Sequence, residues 1–325
     1  MDPYSGQNYD HRRQWIHDLL EQLAGLFCIE VAFHAEMSNH LHVVLRTRPD
    51  VAQRWSREEV ARRWLKIAKI KRGTGDAGWE PTTERIQQEL ADPKRVNRLR
   101  KRLSDISWFM AAVCENVARR ANQEEHLRGR FWETRFCSRN LADETAILVC
   151  GMYVDLNPIR AGEATTPEES RYTSAYDRIC GLQASGLQAS RIHTATDKVT
   201  SPDRWLCELT LSERLETDVG TTEQDPTPHR ASDKGLLSMS REAYLALLDW
   251  TGRQVRCDKR GAIPDHLAPI LERLQIRSEH WLETVLRFDQ RFGCVVGRAE
   301  EITAAAARMG RRWLRGRPAA SESFV

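Results

Sequence analysis

Three absences narrow the class of protein that this sequence can encode. None of its eight cysteines forms a Cys-x-x-Cys pair, which argues against a zinc ribbon, a thioredoxin-type site and a disulfide scaffold. No apolar run approaches the roughly 18 residues that a membrane helix needs, and the opening segment MDPYSGQNYD lacks the apolar core of a signal peptide. We therefore expect reduced thiols, no membrane contact and a cytoplasmic protein.

The chain also has little net charge, yet its basic residues are concentrated. Its 49 Lys and Arg residues and 46 Asp and Glu residues leave a formal charge of +3. Residues 54–72 contain eight basic and two acidic residues, and residues 94–135 contain eleven and five, so each segment carries a local charge of +6. Two such segments favour a surface that binds a polyanion; the alternative is that they are solvated helix faces.

The hydrophobic periodicity predicts an α+β fold. The predicted elements are, in chain order, a helix over 11–26, a hairpin with strands at 28–33 and 41–45, helices over 54–72 and 96–122, a strand over 131–141, and a helix that begins after an Asp143 N-cap and ends near Pro158. This order of elements is typical of a small sheet covered by helices.

The length of 325 residues suggests about two domains. Residues 181–190 repeat the letters GLQAS and open a polar tract that reaches about residue 202, and a second polar segment covers 218–235. Helical patterns return at 244–250, 267–274, 281–288 and 299–314. We predict a domain at 1–180, a linker or long loops at 181–235, and a small all-α domain of unknown role at 236–325.

Two separate motifs carry residues that could perform chemistry. His40 and His42 alternate with Leu41 on a predicted strand, so both imidazoles lie on one face and could bind one divalent cation. Tyr153 and Asn157 are four residues apart on a predicted helix and share a face. The alternatives are exposed strand histidines, and a core tyrosine followed by a helix-ending Asn-Pro.

Together these residues suit a phosphoryl transfer. A phenol is a better leaving group than an alkoxide, so a phosphotyrosine bond conserves the energy of a phosphodiester and can be reversed. A cation held by two histidines and an amide oxygen would neutralise charge on the phosphate and orient the scissile bond.

The two motifs resemble those of the single-tyrosine HUH transposases. Residues 37–45, MSNHLHVVL, are similar to the family's M-P-N-H-x-H-hydrophobic segment, and residues 152–162, MYVDLNPIRAG, are similar to the Y-I-x-x-N-P-V-R-A-G segment of the branch associated with repetitive extragenic palindromes. Residues 130–136 and 171–176 resemble two shorter segments of the same family. The resemblance covers about residues 9–180.

The resemblance implies a bacterial, nucleoid-associated enzyme with a ferredoxin-like antiparallel sheet and Mg²⁺ or Mn²⁺ as its cofactor. His40, His42 and Asn157 would bind the metal, and Tyr153 would form a 5′-phosphotyrosine on single-stranded or hairpin DNA, with a homodimer as the possible assembly. The basic segments would then bind DNA, and Trp108 or Trp132 could stack on unpaired bases or pack in the core. The candidate DNA-binding residues are Arg62, Arg63, Lys66, Lys69, Lys101, Arg102, Arg119, Arg120 and Arg130.

The sequence differs from the family in one respect, and two other functions are also compatible with it. The family has a β-strand before its first helix, beside the histidine strand, where this sequence has only a short polar segment. We therefore expect exposed ladder groups and core side chains on the histidine strand. This departure favours an inactive or domesticated protein that binds palindromic DNA without cleaving it. A zinc hydrolase that uses the His40 and His42 pair is a third possibility, although it lacks nearby acidic or histidine ligands.

Overall fold

A helix and a hairpin form the N-terminal part of the fold. The computed structural model describes residues 6–72, 79–190, 201–211, 229–255, 271 and 276–324. Helix α1 (His11–Ala24) buries its apolar face, and strands β1 (Ile29–Glu36) and β2 (Leu41–Thr47) pair antiparallel with a bulge between Val31 and Phe33. The predicted first helix and hairpin are therefore confirmed.

Five helices follow the hairpin. They are α2 (Pro49–Arg54), α3 (Arg57–Lys71), α4 (Thr83–Leu90), α5 (Pro93–Arg102) and α6 (Ile106–Glu124). The continuous helix predicted over 96–122 is interrupted, because the Asp105 carboxylate accepts a hydrogen bond of 2.7 Å from the Ser107 amide and caps α6. Apolar residues of α1, α3 and α6 share one buried cluster with β1.

The predicted strand over 131–141 is mostly wrong. Only β3 (Asn140–Leu141) is extended and paired, and its parallel partner is β4 (Val295–Val296) rather than the hairpin. The Trp132 indole donates to the Cys114 carbonyl of α6 at 2.9 Å, whereas residues 133–140 are exposed. A mixed α and β architecture with a two-stranded antiparallel hairpin sheet is thus present, while the ferredoxin-like arrangement stays a prediction.

The second edge of β1 is covered without an additional strand. The Val31 carbonyl accepts from the Cys207 amide at 2.8 Å, and the Glu36 amide donates to the Tyr172 carbonyl at 3.1 Å. Between them the Ala32 carbonyl accepts from the Arg178 guanidinium at 2.7 Å. Every residue of β1 is buried, so this edge is not exposed. The exposure expected on the histidine strand concerns β2, which pairs with β1 alone in the described residues, and it stays a prediction.

Helix α7 (Glu144–Asp155) crosses the hairpin and leads into α8 (Asn157–Arg160). The Asp143 carboxylate accepts from the Ala146 amide at 2.8 Å, which confirms the predicted N-cap. After a short 3₁₀ helix at Pro167–Glu169, α9 (Ser174–Ser190) runs through the GLQAS duplication, where a linker is predicted. Leu, Gln and Ala are good helix formers, so a polar composition did not prevent a helix there.

The C-terminal helices share a hydrophobic cluster with β1 and α7. They are α10 (Arg241–Val255), α11 (Trp281–Leu286), α12 (Phe288–Arg291), α13 (Ala299–Arg308) and α14 (Arg317–Ser323), with a 3₁₀ helix at Ser278–His280. Tyr244 and Phe288 lie in one cluster with Phe33, and the Tyr244 hydroxyl donates to the buried Asp155 carboxylate at 2.6 Å.

Several sequence predictions concern residues outside the described part of the chain. They are most of the predicted helix at 267–274 and residues 191–200 and 212–228 of the predicted linker. The division into domains at 180 and 235 stays a prediction. Within the described ranges, no helix combines the length and the apolar character needed to cross a bilayer.

Candidate functional site

The fold brings His40, His42 and Tyr153 together. The turn after β1 and the start of β2 hold the two imidazoles with their ring centroids 4.7 Å apart, and the Tyr153 ring of α7 lies 5.6 Å from the His42 ring. Because α7 packs across the hairpin, a tyrosine near its C-terminal end faces the start of β2.

Both imidazoles of this pocket favour the neutral form. Burial, reinforced by His40 and by Arg160, lowers the pKa of His42 to about 4. Burial also lowers the pKa of His40, whose Nδ1 lies 2.6 Å from the Asn39 side-chain oxygen. A metal ligand must be a neutral imidazole, and a hydrogen bond at Nδ1 leaves Nε2 of His40 available to an ion.

The Tyr153 side chain is covered on one side and polar on the other. It is 8 % exposed, and its ring packs 5.3 Å from the Phe288 ring of α12. The Arg160 guanidinium lies 4.5 Å from the ring centroid, and its Nη2 donates to the Leu286 carbonyl. Burial raises the pKa of Tyr153 above its ordinary value, a hydrogen bond with Arg160 lowers it, and the nearby Asp289 carboxylate raises it.

Asn157 has a different geometry from that expected of a metal ligand. Its side chain is buried, and its Nδ2 donates to the Tyr153 carbonyl at 3.1 Å, so the amide holds the junction between α7 and α8. No hydrogen bond joins this amide to His40 or His42 in the described part of the chain. Its assignment as third ligand stays a prediction.

The candidate DNA-binding residues fall into three groups. Those with exposed side chains are Arg62, Lys101, Arg119, Arg120 and Arg130. In contrast, Arg63 is buried, where it bonds Glu59 at 2.5 Å and the Gly25 carbonyl at 2.7 Å, and Lys66 pairs with Glu80. Burial and these internal contacts of Nε and Nη1 make Arg63 a poor candidate for a phosphate contact.

The other two candidates lie against aromatic rings. Lys69 Nζ is 4.2 Å from the Trp79 ring centroid, and the Arg102 guanidinium is 4.1 Å from that of Trp108. Trp108 also makes an edge contact with Trp64 at the mouth of a cleft of about 260 Å³. Trp108 is half-buried, which suits both packing and contact with a base.

Sequence reasoning missed two sets of residues. Phe288 and Asp289, which border Tyr153, lie in a region that carried no motif. A second group, formed by His17, His34 and Asp177, could hold a metal ion, since one ligand atom from each lies within 4.8 Å of the others. The available signal was a histidine flanked by apolar residues, Phe33 and Ala35, at position 34.

Comparisons with known proteins identified no relative. No family model matches the sequence, no curated protein matches it, and no solved structure matches it. The functional assignment therefore depends on the two motifs at 37–45 and 152–162 and on the geometry of their side chains.

Proposed function

We propose that this protein cleaves and rejoins single-stranded DNA next to hairpins through a 5′-phosphotyrosine at Tyr153. The observation that supports the proposal is the contact between the two motifs: residues separated by more than a hundred positions place a phenol 5.6 Å from one of two adjacent imidazoles. A tyrosine nucleophile beside a pair of histidines that could bind a metal suits reversible strand transfer.

His40 and His42 are suited to hold Mg²⁺ or Mn²⁺, because both are neutral and neighbouring. Once bound, such an ion would offset the negative charge on the scissile phosphate. The DNA phosphate would contribute the oxygen ligands that this nitrogen-rich pair lacks.

The protein's own side chains carry the remaining steps. Tyr153 Oη attacks phosphorus as its proton passes to the adjacent Asp289 carboxylate, the Oη–P bond forms, and the bond to the 3′ oxygen breaks. The departing 3′ oxygen takes up a proton, and the reverse sequence rejoins the strand. The Arg160 guanidinium, next to the Tyr153 ring, favours the phenolate and the charged phosphate.

The test is formation of a covalent adduct on a 5′-labelled and a 3′-labelled hairpin substrate with Mn²⁺ present. Tyr153→Phe should abolish the adduct completely, because it removes only the attacking oxygen. Tyr176→Phe is the matched control, since this tyrosine lies outside the pocket, and it should leave adduct formation unchanged. An adduct that survives Tyr153→Phe contradicts the proposal.

A second candidate function, binding of palindromic DNA without cleavage, is favoured by one observation. Tyr153 is only 8 % exposed and the Phe288 ring packs against its ring, which limits the access of DNA to this side chain. Hairpin binding and nicking measured on one preparation separate the two functions. Tight binding without nicking, in both the wild-type chain and a Phe288→Leu variant with a smaller cover, would support the binding protein.

A further inference from the structure

A second histidine cluster lies inside the fold, away from the Tyr153 pocket. His17 comes from α1, His34 from β1 and Asp177 from α9. Asp177 Oδ2 is 2.9 Å from His17 Nε2 and 3.2 Å from His34 Nε2. His34 is fully buried and Asp177 is 6 % exposed, so three distant segments direct their nitrogen and oxygen atoms at one internal point.

A carboxylate outside this triad fixes the orientation of one ligand. Glu36 Oε2 lies 3.1 Å from His34 Nδ1, which leaves His34 Nε2 to face Asp177 and His17. Histidines that bind metals commonly use their second nitrogen in this way, bonded to a carboxylate that fixes the ring.

Buried polar atoms around the triad lack partners. Glu36 Oε1, His17 Nδ1 and the Trp205 indole nitrogen are buried without a hydrogen-bond partner in the described part of the chain. The Trp205 ring lies 5.0 Å from the His34 ring and 5.4 Å from the His17 ring, so the three rings pack together beside Asp177. Buried polar groups are normally paired, and a cluster of unpaired ones indicates capacity for an additional polar species.

The spacing and the charge of the cluster both suit a divalent cation. Ligands at about 2.0–2.2 Å from a tetrahedral ion lie roughly 3.3–3.6 Å from one another. The separations of 2.9 and 3.2 Å need only a small expansion to reach that range. Two buried carboxylates, Glu36 and Asp177, would also balance the charge of one divalent ion bound by neutral imidazoles.

We propose that His17, His34 and Asp177 bind one Zn²⁺ ion, with Glu36 as the carboxylate that orients His34. Two imidazoles and one carboxylate form a typical zinc ligand set, and the fourth position is left to water. The ion would connect α1, β1 and α9, so its binding should stabilise the fold. This site is independent of the proposed strand transfer at Tyr153.

The test is zinc binding by the full chain after removal of metals with a chelator. The wild-type chain should bind one Zn²⁺ with an increase in melting temperature, and His17→Ala should weaken binding at least tenfold. His11→Ala is the matched control on the same helix, because its side chain is 46 % exposed and contacts Glu124 instead. Glu36→Gln should weaken binding about 10- to 100-fold while all three ligands remain.

Two further measurements locate the ion and remain informative if one of the variants above fails to fold. The double variant His40→Ala, His42→Ala should still bind one Zn²⁺. Asp177→Cys with Co²⁺ should gain a thiolate-to-cobalt absorption band that the wild-type chain lacks. The proposal is overturned by a wild-type chain that binds no stoichiometric zinc, by loss of the ion in the double variant, or by unchanged binding in Glu36→Gln together with no new band in Asp177→Cys.

Discussion

Both clusters contain partly or fully buried histidines, but the pKa of the histidine is shifted down in the cluster near Tyr153 and up in the cluster with Asp177. Burial is the largest influence on His42, which has no carboxylate in hydrogen-bond contact, and together with His40 and Arg160 it lowers the pKa of His42 to about 4. Burial also opposes protonation of His34, but Glu36 and Asp177 outweigh it and raise its pKa to about 10. Contact with a carboxylate, rather than burial, thus decides whether a buried histidine in this protein is neutral or charged.

This difference suits the two clusters to different roles. Neutral histidines beside a half-open surface can accept and release a cation together with a DNA phosphate. A histidine held between two carboxylates favours a tightly bound ion or, in the absence of an ion, its own proton. Predictions about single side chains can test the contrast, beginning with the largest expected effect.

Asp177→Ala should be the most destabilising change within the two clusters. It leaves His17 and His34 without their shared partner, and removal of one member of a buried ion pair costs about 3–5 kcal/mol of unfolding free energy. Asp289→Ala, at the exposed carboxylate of the other cluster, should change it by less than about 0.5 kcal/mol. Urea unfolding with a chelator present measures both, and equal effects would contradict the contrast between a buried and an exposed carboxylate.

Gly151→Ala tests the packing between the elements that carry the two clusters. Gly151 of α7 faces β1, and an added Cβ would lie 2.6 Å from Cζ of Phe33, next to His34. Overpacking of this kind should lower the unfolding free energy by about 1–3 kcal/mol despite the better helix propensity of alanine.

Gly252→Ala provides the control for that substitution. Gly252 is also helical, but its added Cβ would meet only Leu156 Cδ2 at 3.3 Å and Ile159 Cδ1 at 3.4 Å. Its effect should stay within about 1 kcal/mol, as for an ordinary helical glycine. Comparable losses in the two variants would show that α7 and β1 are not tightly packed at Gly151.

The sequence was informative where a signal was local. The hairpin, the Asp143 cap and the helix that carries Tyr153 follow from patterns within a few residues, and the two motifs predicted that Tyr153 would lie near His42. The strand predicted over 131–141 was mostly wrong because alternating apolar and polar residues form a strand only where a neighbouring strand has free backbone groups to pair with. The second edge of β1 is not free, since residues 172 and 207 already hydrogen-bond to it.

The second cluster could not be predicted because its members share no local pattern. His17 and Asp177 are separated by 160 positions, and only the packing of α1 and α9 against β1 brings them together. Phe288 and Asp289 are a similar case, since a region without motifs supplies the cover of Tyr153. Long-range packing, rather than composition, determines both sets.

A small effect is also expected at Asp50, an exposed counterpart of Asp177. Hydrogen bonds from Arg48 lower the pKa of Asp50 to about 2, similar to that of Asp177, yet its side chain is 50 % exposed. Solvent screening should therefore limit the cost of Asp50→Asn to less than about 1 kcal/mol.

The pH dependence of this cost follows from the direction of the shift. Because the folded-state pKa is depressed, the contribution of Asp50 is complete above its ordinary value of 3.8 and is lost as the pH falls towards about 2. Urea unfolding of wild type and Asp50→Asn at pH 6 and near pH 2 should show a difference that disappears at the lower pH. A difference that persists there would mean that the carboxylate acts through packing or helix capping rather than through its charge.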